Sequence, residues 1–337
     1  MQVVAVLGAG SWGTALAVHL ARIGHDVRLW ARDARLVAEM CERRANAVYL
    51  PDVILPAAVT PTASLAEALD GPTLVLTAVP SHGMRDTIRR ASPELAPGAV
   101  LVSATKGLEE GTLLRMSEVI AREVGQAHPV VVLSGPSFAP EVARQLPTAV
   151  LAASVDAQAA ELVQQEFRGP AFRLYASEDV VGVEVGGAMK NVIAIAAGVV
   201  DSLGLGQNAL AALITRGLAE ISRLTCALGG RRETLAGLSG LGDLVLTCTG
   251  SLSRNRHVGL ELGKGRPLGE ILAGMKMVAE GVRTAHAALA LGGRHGVELP
   301  ITEKMVEVLT GRKDPRVATE ELMLRRQRPE SEASRDS

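Results

Sequence analysis

Five apolar residues, Val3 to Leu7, run without a break into Gly8-Ala9-Gly10-Ser11-Trp12-Gly13. Each glycine answers a different steric demand. Gly8 permits a tight turn, Gly10 lets backbone approach a pyrophosphate, and Gly13 lets the next helix lie close on the strand. The first N–H groups of that helix carry partial positive charge, which suits phosphate oxygens. Leu16, Leu20 and Ile23 recur at helical spacing and Gly24 ends the helix. A second strand, Asp26 to Trp30, closes the unit. A glycine-rich turn alone is also a plain structural bend. Framed by a strand before and a helix and second strand after, it reads as a dinucleotide-binding βαβ unit.

The end of the second strand bears on which nucleotide. A carboxylate there holds the ribose 2′-hydroxyl of NAD, whereas an arginine accommodates the 2′-phosphate of NADP. The chain has Ala31-Arg32-Asp33. Asp33 reads as the N-cap of a helix through Arg35 to Arg44. That leaves Arg32 for the adenosine end, so NADP(H) is favoured, with NAD(H) as the alternative.

Beyond this unit, residues 1–183 alternate short apolar strands with amphipathic helices. Strands are expected at Thr73 to Val79, Ala99 to Ser103, Val130 to Leu133, Ala149 to Ala153 and Phe172 to Tyr175. That pattern predicts an α/β fold: a Rossmann-type, doubly wound, mostly parallel sheet that binds ligands at the carboxyl ends of its strands. After about residue 184 the strands stop, and residues 184–324 read as an all-α second domain. One long helix is expected over Glu184 to Val200, with Gly and Ala where another element crosses, and another over Asn208 to Leu228. Residues 325–337 are charged and lack an apolar pattern, as in a disordered tail.

Net charge of −1 argues against general binding to nucleic acid or a membrane surface, which needs a basic excess. Cys41, Cys226 and Cys248 are odd in number and widely spaced, and the seven histidines are scattered, so no metal site is expected. Such cysteines fit a reducing cytosol. No basic stretch precedes the first apolar run, and the strongly apolar segment Val192 to Val200 is shorter than the ~20 residues that span a bilayer. A cytoplasmic protein without membrane insertion is therefore expected. Whether it forms a homodimer is left open by the sequence.

Several polar residues stand out against this background. Lys190 lies within Gly186-Gly187-Ala188-Met189-Lys190-Asn191-Val192-Ile193-Ala194. An arbitrary lysine snorkels to solvent. Here the neighbours three and four positions away are Gly186, Gly187, Ile193 and Ala194, so the face reads as buried. A buried ammonium needs partners or a lowered pKa, and either suits proton transfer. Asn191 beside it can hydrogen-bond a substrate or cap a turn. Lys106, after the strand ending at Ser103, and Gly135-Pro136-Ser137, after the next, fall at the sheet's carboxyl edge, where loop residues meet ligands. Asp243 places a carboxylate in the apolar run Leu241 to Leu246, where a helix cap is the plainer reading. Ser253-Arg254-Asn255-Arg256 suits a phosphate, since arginine binds it bidentately, although an ordinary basic turn looks the same.

Taken in order, Ala104-Thr105-Lys106-Gly107-Leu108-Glu109, Ser134-Gly135-Pro136-Ser137-Phe138-Ala139, Gly187-Ala188-Met189-Lys190-Asn191 and Gly240-Leu241-Gly242-Asp243-Leu244 with Arg254-Asn255 are far more specific than the glycine turn. With them the chain resembles the bacterial NAD(P)-dependent glycerol-3-phosphate dehydrogenase family over nearly its whole length. The resemblance implies reversible reduction of dihydroxyacetone phosphate to sn-glycerol 3-phosphate, a precursor for phospholipid synthesis. It makes Lys190 the catalytic acid/base. Lys106, Gly135, Ser137, Asp243, Ser253, Arg254 and Asn255 would line the substrate site with Lys190 and Asn191. Ser11, Trp12, Arg32, Lys106, Ala139, Arg254, Val278 and Glu280 would touch the nucleotide, beside the glycines at 8, 10 and 13. Val282 stands where relatives often carry an aromatic residue, and Pro140 where they often carry lysine. Two other readings share parts of the pattern: a β-hydroxyacid-type dehydrogenase with the same architecture, and a non-catalytic dinucleotide sensor using the first domain alone. The cluster at Lys190, Asp243 and Arg254 weighs against the second.

Overall fold

A computed structural model describes residues 2–327, 329 and 330 of the chain. Among the described residues ten strands are formed: β1 Val3–Leu7, β2 Asp26–Trp30, β3 Ala45–Asn46, β4 Leu50–Ile54, β5 Val59–Thr62, β6 Leu74–Thr77, β7 Val100–Ser103, β8 Val130–Ser134, β9 Thr148–Ala153 and β10 Phe172–Ser177. Eight of them make one sheet in the order β10-β9-β8-β7-β6-β1-β2-β5, while β3 and β4 form a small antiparallel pair. Every neighbouring pair in the large sheet is parallel except β8 and β9. The all-apolar stretches of β1, β6 and β7 are buried on both faces, as helix-covered parallel strands must be.

Strands β3 to β5 were not expected from the sequence. Pro51 and Asp52 interrupt β4, and Pro61 sits within β5. β5 is the outermost strand, where a residue lacking an N–H leaves no ladder bond broken on its open side.

The helix Ser11–Arg22 follows β1, and Ala34–Arg43 follows β2. After β10 the chain is helical. Val180–Ser202 runs through the centre of the second unit, buried continuously from Gly182 to Val200. It starts at Val180 rather than Glu184 because the Asp179 side chain accepts the Gly182 N–H at 2.8 Å and so caps it earlier. At 23 residues it is long and apolar enough to cross a membrane, yet 89% of its most apolar window is buried inside the protein.

Glycines fit this helix to its neighbours. A Cβ on Gly198 would lie 2.0 Å from the Arg256 carbonyl, and one on Gly259 would lie 1.9 Å from that of Ile195. Backbone therefore crosses backbone where the helix meets Arg254–Gly263. On its other side Val183 joins Val132 of β8 and Ala153 of β9 in a small apolar cluster. The helix thus rises along the sheet, with Val183 low on β8 and Gly187, one turn on, against Ser134 at the strand's carboxyl end. One larger core fills each face of the sheet, and another surrounds the central helix. Arg325 lies 3.3 Å from Glu298; most of the tail expected to be disordered, at 328 and 331–337, lies outside the described residues.

Candidate active site

The three motif glycines divide their work. Gly8 has φ +115°, and a Cβ there would meet the Ala78 carbonyl at 2.8 Å. A Cβ on Gly13 would lie 1.9 Å from the Gly8 carbonyl. Both are therefore demanded by the protein's own packing. Gly10 differs: a Cβ would meet nothing within 4 Å. The glycine leaves open space over the first turn of Ser11–Arg22, whose N-cap, Gly10, offers no side-chain acceptor to the leading N–H groups. Free donors beneath an open cradle fit a pyrophosphate. Ser11 Oγ donates to the Tyr49 carbonyl at 2.5 Å and lies 2.9 Å from Met277 Sδ, while Trp12 rests against the sheet core. Asp33 caps the next helix by accepting the Arg35 N–H at 2.9 Å, and Arg32 beside it is exposed.

Across the carboxyl edge the structure brings Lys106, Gly135, Lys190 and Asp243 together. Asp243 begins the helix Asp243–Thr249 and is 1% exposed. One of its carboxylate oxygens pairs with Lys106 Nζ at 2.5 Å, the other with Lys190 Nζ at 2.8 Å. Lys106 Nζ also donates to the Gly135 carbonyl at 2.9 Å, and Ser137 Oγ donates to the same oxygen at 3.0 Å. Lys190 Nζ donates to Thr247 Oγ1 at 2.7 Å, and that hydroxyl donates to the Asp243 carbonyl at 2.6 Å. With both lysines protonated, this constellation carries one uncompensated positive charge.

Burial pulls the Lys190 ammonium down to about 8, against the opposing pull of Asp243, with repulsion from Lys106 adding to the fall. A lysine so placed exchanges its proton near neutral pH. The Cys248 thiol, also buried here, is pushed up to about 12 and stays neutral.

A second cluster borders the first. Asn255 Nδ2 donates to Asn191 Oδ1 at 2.9 Å, and Asn255 Oδ1 accepts the Gly281 N–H at 2.9 Å. Ser253 caps the helix Arg254–Gly263, and the exposed Arg254 donates to the Val278 carbonyl at 2.8 Å. Glu280 reaches from the helical side to the loop after β6. Its carboxylate accepts the Ser81 backbone N–H at 3.0 Å and the Ser81 hydroxyl at 2.6 Å. Ala139 starts the short helix after Phe138, half-buried at the rim.

One residue here went unremarked in the sequence. Thr247 is one helical turn after Asp243, so its spacing alone puts it on the same face. Ser81, by contrast, stands out in the sequence as part of Val79-Pro80-Ser81-His82, at the carboxyl end of the strand that becomes β6.

The family description "NAD-dependent glycerol-3-phosphate dehydrogenase N-terminus" matches residues 3–160, and its C-terminal counterpart matches residues 179–320. The chain belongs to the NAD-dependent glycerol-3-phosphate dehydrogenase family. A family member from Koribacter versatilis, named glycerol-3-phosphate dehydrogenase [NAD(P)+], is 56% identical over 96% of this chain and 98% of its own length. One of the same name from Geobacter sulfurreducens is 54% identical over 96% and 97%. Among solved structures, the glycerol-3-phosphate dehydrogenase of Coxiella burnetii superposes with a TM-score of 0.93 at 44% identity, covering 96% of this chain and 99% of that one. Family membership makes the chain an NAD(P)-dependent oxidoreductase acting on a CH–OH group, and the two-part architecture is that of the family.

Proposed function

We propose that the chain interconverts dihydroxyacetone phosphate and sn-glycerol 3-phosphate, with Lys190 as the proton donor and acceptor. The observation that carries this reading is the pairing of Asp243 with both Lys106 and Lys190 at 2.5 and 2.8 Å, in a buried corner of the cleft. When bound, a nicotinamide supplies or takes the hydride at the substrate carbon. The protein's part is position and charge. Lys190 gives its proton to the ketone oxygen as negative charge develops there, and recovers it in the oxidative direction. Asp243 holds that ammonium in place, and Lys106 with Asn191 orients the oxygen. Ser253, Arg254 and Asn255 hold the phosphate, while Gly135 and Ser137 line the triose. Gly8, Gly10, Ser11, Trp12 and Gly13 cradle the pyrophosphate, and Ala139, Val278 and Glu280 border the nicotinamide half.

In this reading residues 1–183 form the dinucleotide-binding domain and 184–324 the substrate and catalytic domain, and each lends residues to the other's ligand. The exposed Arg32 and the commitment of Asp33 to its cap support a preference for NADP(H). A cytoplasmic location without membrane insertion is supported by the burial of Val180–Ser202, the one long apolar helix among the described residues, and the product would enter phospholipid synthesis. Pairing of two copies into a homodimer belongs to the same proposal. Initial rates with dihydroxyacetone phosphate, using NADPH and NADH in turn, test the whole. Lys190→Ala should keep nucleotide binding and lose at least a hundredfold in kcat. Arg32→Ala should raise KM for NADPH about tenfold and leave NADH within twofold. A Lys190→Ala enzyme with wild-type turnover would remove the lysine from its role.

A further inference from the structure

Gly187 sits one turn before Lys190 on the central helix, facing the end of β8. A Cβ built on it would lie 2.8 Å from Ser134 Oγ, and next nearest would be Lys106 Cγ and Cδ at 3.6 and 3.7 Å. The last two are ordinary contacts. Only the serine hydroxyl stands in the way. Ser134 is 4% exposed, and its Oγ is a buried oxygen without a hydrogen-bond partner among the described residues. Buried hydroxyls of this kind are uncommon and costly. This one is held against a glycine of another element rather than paired. A glycine in a helix interior is itself unfavourable by about 0.5–1 kcal/mol relative to alanine, so the position carries two local costs where one contact is made.

What the contact sets is a distance. Lys106, Gly135 and Ser134 belong to the sheet edge; Gly187, Lys190 and Asp243 belong to the helical unit. The Lys106–Asp243 pair at 2.5 Å crosses from one to the other. We propose that Gly187 is a positioning residue for the reaction: lacking a side chain, it lets the helix close onto Ser134, and so fixes the separation of Lys190 and Asp243 from Lys106. This rests on the functional reading above and adds to it the element that sets the spacing. A methyl at 187 pushes the helix off β8 by a few tenths of an ångström or more. Lys190 and Asp243 then move together while Lys106 stays behind with Gly135. Lys190 loses a repelling neighbour and gains water, and both changes raise its proton affinity from about 8.

Rates of dihydroxyacetone phosphate reduction against pH are measured for the wild type, Gly187→Ala, Ser134→Ala and the double variant, with thermal unfolding of each. Gly187→Ala should lose about ten- to a hundredfold in kcat, the scale for a sub-ångström to 1 Å misplacement, and its alkaline limb should move upward. Adding Ser134→Ala removes the obstructing oxygen and should return both kcat and the limb to within about threefold and a few tenths of a pH unit of Ser134→Ala alone. Ser134→Cys, which enlarges the wall from the strand side, should reproduce the defect in weaker form, and decides the matter should Gly187→Ala not fold. An unaltered Gly187→Ala enzyme, a loss that Ser134→Ala leaves in place, or a Ser134→Cys enzyme like wild type would each overturn the proposal. A wild type inactive on this substrate would instead remove the functional reading.

Discussion

Replacing Asp243 with asparagine keeps the shape of the site and deletes the charge that holds both lysines. In the wild type, burial has already brought Lys190 down to about 8, and Asp243 is the main force resisting that fall. An opposite charge within hydrogen-bond distance is worth about 1–3 pKa units. Taking two units, Lys190 in Asp243→Asn titrates at about 6, a change of about 2.7 kcal/mol in favour of the neutral amine. At a pH of about 7.5, the protonated fraction then falls from about three quarters to about 3%, a roughly 25-fold loss of the form that donates to the ketone oxygen. The sign is the informative part. If Lys190 is the proton donor as proposed, ketone reduction needs the ammonium, so activity should recover on acidification, and the alkaline limb of kcat should move down from about 8 by the same two units. Stopped-flow single turnovers across this range, with nucleotide pre-bound, isolate the step from product release. Equal loss at every pH, with the limb still near its wild-type place, would refute the electrostatic role and leave Asp243 a spacer.

The glycine turn makes a paired prediction: Gly10→Ala should leave the melting temperature within a degree or so, since a methyl there meets nothing within 4 Å, while weakening nucleotide binding at least tenfold by titration calorimetry. Gly13→Ala should instead lower the melting temperature by several degrees, because its methyl collides with the Gly8 carbonyl. Glu220, fully buried, accepts the Ile301 and Thr302 N–H groups and the Thr302 hydroxyl at 2.6–2.9 Å, capping Pro300–Leu309. Glu220→Ala leaves those donors unpaired and should cost about 2–4 kcal/mol in denaturant unfolding. Burial raises this carboxyl above its unfolded value, so the folded state holds the proton longer. Its contribution is full below the unfolded pKa of about 4.3 and declines as pH rises from there through the raised folded value. The gap between wild type and Glu220→Ala should therefore be widest at the acid end.

Much of the fold was legible because its signals are local. β1, its glycine turn and the helix Ser11–Arg22 announce themselves by steric need, and Asp33 by its place before an amphipathic run. β4 and β5 were hidden because Pro51, Asp52 and Pro61 spoil a strand pattern that an outer position tolerates. The reversal at β9 was not read from the sequence at all: its apolar residues look the same whichever way the strand runs, and only the packing of neighbours decides. At the site, Lys190 was legible as a charge in an apolar helix. That Asp243 reaches Lys106 across 137 positions was not, since the pairing exists only after two units meet. Thr247 lay between these cases, visible through its four-residue spacing from Asp243 but without chemistry of its own to draw notice.

Because β9 and β10 run against the other strands, the chain leaves the sheet at its amino edge, the side away from the glycine turn. One unbroken rod of backbone then climbs back, and ten residues at about 1.5 Å each match the height of a five-residue strand. Lys190 thus arrives level with the carboxyl edge by arithmetic rather than by a loop. A residue inserted between Val183 and Lys190 would swing the amine about 100° around the rod, and deletion would swing it the other way. Loops elsewhere in such a chain tolerate changes of length; this stretch does not.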